Sequence, residues 1–151
     1  MCIRDSGITI ASSRSVSEEA APQGQTCGVA DPTSAGRITQ VFETPGGTLI
    51  AQYVQEGAAA ADQWMAALTS MAGCTDPGVS PMRLDPGSAT GSDQTLVLSS
   101  NGSDDDGGYM AVVGGRKGDL ATGFMTISTN PADPALSTDA LIKLLEIALA
   151  G

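Results

Sequence analysis

Six strand-like segments run along this chain, and most of them follow one another without a helix-length stretch between. That order restricts the fold more than any other feature. Residues 35–44 (AGRITQVFET) alternate, with Ile38, Gln40 and Phe42 set against Arg37, Thr39 and Val41, and read as a half-buried strand. Pro45-Gly46-Gly47 supplies a turn, and Thr48–Gln55 (TLIAQYVQ) a second strand, so the two form a hairpin. Further strands are expected at Met82–Leu84, Thr95–Ser99, Tyr109–Val113 and Leu120–Ser128, with Gly114–Asp119 as the tip of the last hairpin. Two segments have helical spacing instead. In Ala58–Gly73, Ala61, Trp64, Leu68 and Met71 form one apolar stripe. In Thr138–Ala150, Leu141, Leu144, Leu145, Ala148 and Leu149 form a broad one, with Ser137 or Thr138 as N-cap and Lys143 and Glu146 facing outward as a surface pair. Strands that follow strands directly pair antiparallel, because a parallel neighbour needs a long crossover. The expected fold is α+β, a largely antiparallel sheet of about five to six strands flanked by two amphipathic helices.

The 151 residues suit one domain, expected over residues 26–150. Met1–Ser6 (MCIRDS) resembles a translated adapter fragment of the kind found at the ends of assembled reading frames, and residues 1–6 are set aside on that ground. Residues 7–25 hold a short apolar scrap, Gly7–Ala11, then a polar run rich in Ser, Glu and Ala. They read as a flexible tether or the remnant of a signal segment.

Composition excludes several functions. Seven basic residues against seventeen acidic ones give a net charge of −10, which repels phosphate backbones and anionic lipid surfaces. Nucleic-acid binding is not expected, nor is an integral membrane span. The chain has no histidine, so Ser-His-Asp and Cys-His arrangements cannot be built, and the commonest zinc ligand is missing. No catalytic residue, metal site or cofactor is assigned, and the chain reads as a non-enzyme and a monomer.

With Cys2 set aside, Cys27 and Cys74 remain, too far apart in sequence for a Cys-x-x-Cys redox pair. They are either two unrelated buried thiols or a disulfide. A bridge would close a loop of 74 − 27 = 47 positions and contribute roughly 4 kcal/mol. The disulfide is the preferred reading, and it implies an oxidising, exported location.

The remaining motifs are modest. Asn101–Gly108 (NGSDDDGG) lacks the alternating acids and terminal Glu of a calcium loop and reads as a solvated turn. Gly114–Gly118 (GGRKG) lacks phosphate-loop spacing, but Arg116 and Lys117 are the only adjacent cations in the chain and the natural contact for an anion. Trp64 reads first as core; otherwise it lines a ligand pocket between helix and sheet with Tyr53 and Tyr109.

Cys27 ahead of the hairpin, the Ala-rich helix Ala58–Gly73 leading into Cys74, and the closing helix Thr138–Ala150 together resemble the extracellular sensor domain of the PknH-type receptor kinases of actinobacteria. That family also occurs as lipoproteins and secreted proteins. The resemblance spans residues 26–150 and implies an antiparallel sheet with two long helices and a groove for an unidentified extracellular ligand. The chain departs from the pattern in two places. No cysteines remain for the family's usual second disulfide, and Met71 stands where the family carries a Trp three residues before the helix-end Cys. The functional expectation is a non-catalytic, extracellular or envelope-located ligand-binding domain of the sensor type. Its partner would be an unknown small molecule or an envelope protein. The alternative is a structural or protein-interaction domain of the cell envelope without a small-molecule pocket.

Overall fold

The structure, a computed structural model, describes residues 8–19, 25–26, 29–30, 37–72, 82–100, 109–130, 133 and 137–150. Cys27, Cys74, the 101–108 loop and residues 1–6 lie outside the described residues. The strands are β1 (Ser12–Glu19), β2 (Gln25–Thr26), β3 (Val29–Ala30), β4 (Arg37–Glu43), β5 (Leu49–Glu56), β6 (Met82–Asp85), β7 (Gln94–Ser100), β8 (Tyr109–Lys117) and β9 (Leu120–Ser128). Helix α1 (Ala58–Met71) follows β5, and α2 (Thr138–Ala150) closes the chain.

Seven strands form one antiparallel sheet in the order β1-β4-β5-β9-β8-β7-β6, and β2 and β3 form a separate pair beside it. β3 lies against α1. The α+β class, the antiparallel pairing and the two flanking helices agree with the sequence pattern. The strand count exceeds five to six because Ser12–Glu19, within the polar run expected as a tether, pairs with β4 from Ser12↔Glu43 to Glu19↔Arg37. Its Ser-rich sequence hides it: at a sheet edge the backbone hydrogen bonds to β4 hold a strand that has little apolar alternation of its own. Ahead of it, Ile8 is buried in the core and the Ala11 amide donates to the Glu43 carbonyl at 2.7 Å.

The helices take opposite faces. On one, α1 buries Ala61, Trp64, Met65 and Leu68 with Met82, Leu98, Val112 and Ala121. On the other, α2 buries Leu141, Leu144, Leu145 and Leu149 against Ile50, Val97, Val113 and Phe124. Strand alternation divides the sheet between them, so the central strands bury side chains on both sides, mostly apolar but with Thr122 and Thr126 of β9 and Gln52 of β5 among them.

The expected hairpin tip at Gly114–Asp119 is shorter than the glycines suggest. β8 runs on through Lys117, and only Gly118-Asp119 make the turn, with Gly118 at φ 60°. Gly114 and Gly115 are packing glycines. A Cβ on Gly114 would fall inside the Leu68 side chain of α1, and one on Gly115 would stand 2.8 Å from Leu145 Cδ2 of α2. One strand thus gives up its side chains at successive positions so that a helix can approach from each side.

Both loops at the β4–β5 end are tied down. The hairpin turn is closed by Thr44 N–H to Thr48 O at 3.0 Å, with Gly47 at φ 84°. Asp133, between β9 and α2, accepts from the hydroxyls of Thr44 at 3.0 Å and Thr48 at 2.5 Å. Ser137 is the N-cap of α2, its Oγ accepting from Ala140 N–H at 3.2 Å. Glu146 accepts from the Thr90 amide at 2.9 Å, so the expected Lys143–Glu146 ion pair gives way to a loop contact.

Candidate functional site

Trp64 sits on the sheet-facing side of α1 and is 9% exposed. Its ring centroid is 5.3 Å from that of Tyr53, with the planes inclined by 32°. Below it, Gly114 of β8 and Gly123 of β9 are paired. A Cβ at Gly123 would lie 3.5 Å from indole Cζ2, and one at Gly114 would lie 3.6 Å from Nε1. The indole therefore lies over the two glycines at a distance that a methyl group would fill, while Leu68 and the Val113 carbonyl make the close approaches there. Of the two sequence readings of Trp64, core packing is the one this geometry matches.

Two polar atoms in the buried region are left without partners among the described residues: Trp64 Nε1 and Gln55 Nε2. Among the described residues Tyr53 Oη makes a 3.9 Å contact to Met125 Sδ, and burial pushes its phenol above the ordinary value of 10.0.

The other sequence candidates do not join this cluster. Tyr109 shares the register of Ala111 and Val113 on β8, so alternation assigns it to the α2 face, with the sheet between it and Tyr53. Arg116 and Lys117, adjacent in sequence, also part company. Arg116 pairs with Asp62 of α1 and donates from Nε to the Gly118 carbonyl at 2.8 Å. Lys117 donates from Nζ to the Leu149 carbonyl at 3.3 Å, among the open carbonyls at the end of α2. Each cation serves a different helix, and the expected anion contact is not a single patch.

The accessible site lies elsewhere on the α1 face. α1 packs over β5, β7, β8 and β9, and toward the corner where β1, β4 and β5 meet this face carries exposed side chains among the described residues, Arg14, Glu43 and Leu49. Two rows cross it, defined by strand register. One runs Ser12, Glu43, Leu49, Ile127, Met110, and the other Arg14, Val41, Ala51, Met125. Leu49 is 45% exposed and Ile127 50%, side by side on β5 and β9. A cleft of about 400 Å³ opens beside them, lined by Ser12, Arg14, Val41, Glu43 and Leu49 among others. Farther along the second row, Leu84 on β6 is 55% exposed on the same face.

Sequence reasoning missed this corner. The β-formers of Thr48–Gln55 mark Leu49 as strand, but nothing local says that the helix above it stops short. Among the described residues, no group of three or more cysteines and carboxylates gathers closely enough to hold a metal. Among them, too, no helix is long and apolar enough to cross a membrane. Comparison with family models and with curated proteins finds no match.

Proposed function

We propose that this chain is a non-catalytic binding domain of the sensor type, exported from the cell, and that it engages its ligand at the open corner of the α1 face. The observation that carries this reading is the adjacency of two half-exposed large apolar residues, Leu49 and Ile127, to a cleft with a polar rim. Neighbouring exposed apolar side chains rimmed by polar residues mark interaction sites on soluble domains. The expected pocket beside Trp64 has no such support, because the indole is buried and its ring packs against that of Tyr53. Export rests on the Cys27–Cys74 disulfide. A thiol count on denatured protein, before and after reduction, tests it: one thiol (Cys2) rising to three supports it, and three thiols from the start sink it.

The binding reading is tested with Nile red, a neutral apolar probe, followed by amide chemical shifts. Shifts should cluster at Ser12–Arg14, Val41–Glu43, Leu49–Ala51 and Met125–Ile127, and Leu49→Ser with Ile127→Ser should abolish them. Shifts centred on Trp64, or none anywhere, would overturn it. The exposure of Leu84 on the same face favours a second reading, a flat surface for an envelope protein.

A further inference from the structure

The corner has a direction, and that direction defines a ligand class. At its β1 end stand exposed groups that can recognise a charge: the Ser12 hydroxyl and the guanidinium of Arg14, both lining the cleft. The ion pairs among the described residues are Arg83–Asp85 and Arg116–Asp62, so Arg14 has no carboxylate partner among them. From Arg14 and Ser12 the two rows pass through Val41 and Leu49, then Ala51 and Ile127, to Met125. Beyond Glu43, every side chain in that path is apolar. The path crosses from β1 to β9, three strand spacings, or about 14 Å. The cleft, about 400 Å³, is within the range of small-molecule sites, roughly 300–1,000 Å³.

We infer that the corner binds an anionic amphiphile, a medium-chain acyl carboxylate, with its head at Arg14 and Ser12 and its chain laid across Val41, Leu49 and Ile127. Arg14 supplies a charge-assisted hydrogen bond to the head, and the chain covers apolar surface that is otherwise wet. Glu43 lines the same cleft and opposes the anion, so it limits affinity and disfavours a doubly charged head. The net charge of −10 makes a free amphiphile the better source than an anionic bilayer, which would repel the whole domain.

This inference rests on the corner being the binding surface, and the experiment separates the two. Dodecanoate, kept below its micelle concentration, is titrated into the full chain by calorimetry, with dodecyltrimethylammonium and butyrate as comparisons. Dodecanoate should bind, and the cationic and short-chain probes should bind at least tenfold more weakly. Arg14→Gln should weaken dodecanoate about tenfold, as loss of a charge-assisted contact does. Glu43→Gln should tighten it, and Leu49→Ser with Ile127→Ser should remove it. Arg14, Glu43, Leu49 and Ile127 are all exposed, so these variants should retain the fold. Phosphatidylglycerol vesicles should not retain the protein; retention without dodecanoate binding would overturn the free-ligand assignment. Equal binding of the anionic and cationic chains, with Nile red still mapped to the corner, overturns the anion inference and leaves the binding surface standing. No binding of any probe overturns both.

Discussion

Replacing Gly114 with alanine separates a turn glycine from a packing glycine. Gly114 is not among the residues with positive φ, so its backbone accepts alanine without strain. If it were a hairpin-tip residue, Gly114→Ala would stabilise the fold by about 0.4–1 kcal/mol through the unfolded chain. In the structure its Cβ would overlap the buried Leu68 side chain, with Trp64 Nε1 also 3.6 Å away. Overpacking of this kind costs about 1–3 kcal/mol. For a chain of this size that lowers Tm by roughly 2–4 °C per kcal/mol. Leu68→Ala alone should cost about 2–5 kcal/mol, from lost burial and the cavity left behind. In the double variant the new methyl occupies space that Leu68 vacated, so the combined loss should fall short of the sum by at least about 1 kcal/mol. Urea denaturation, followed by Trp64 fluorescence, measures all four corners of the cycle. Additivity within about 0.5 kcal/mol, or a stabilised Gly114→Ala, would refute the account of how α1 approaches the sheet.

Three further outcomes follow from other parts of the molecule. Deleting residues 1–19 removes β1 and the buried Ile8, so it should lower the urea midpoint and uncover the β4 edge to self-association, detected by sedimentation; an unchanged midpoint would make the segment a mere tether. Asp133→Ala should cost about 1–3 kcal/mol, because the hydroxyl of buried Thr48 loses its acceptor, and a loss confined to a few tenths would show that the clasp contributes nothing. Burial raises the Tyr53 phenol pKa in the folded state, so the unfolded chain ionises first as pH rises past 10. Stability present below that pH should therefore decline through the alkaline range, and Tyr53→Phe should flatten the decline in melts taken from pH 9 upward.

Much of the architecture is legible in the residues because it depends on local periodicity. The stripe Ala61, Trp64, Leu68 is helical by spacing alone, and its apolar side had to meet the sheet. The antiparallel class followed from strands joined without helices. The edge strand β1 was not legible, since a Ser-rich edge is held by backbone bonds to a distant β4 rather than by its own pattern. The Gly114-Gly115 pair misled for a related reason: glycine marks a turn and a close approach with the same letter.

Composition and period alone determined the class of fold, the lack of histidine and the acidic net charge. These properties belong to single residues or to neighbours in the chain. The sheet order, the helix assigned to each face and the position of the open corner were decided only in three dimensions. Tyr109, Arg116 and Lys117 were drawn from the sequence as candidate contacts, yet strand alternation sends Arg116 and Lys117 to different helices and Tyr109 to the face opposite Trp64. Leu49 and Ile127 are 78 positions apart (127 − 49) and unremarkable in sequence, yet pairing of β5 with β9 makes them neighbours. They stay exposed because α1 packs over another part of that face. Where a helix lies across a sheet is a property of packing between distant segments, and no local pattern encodes it.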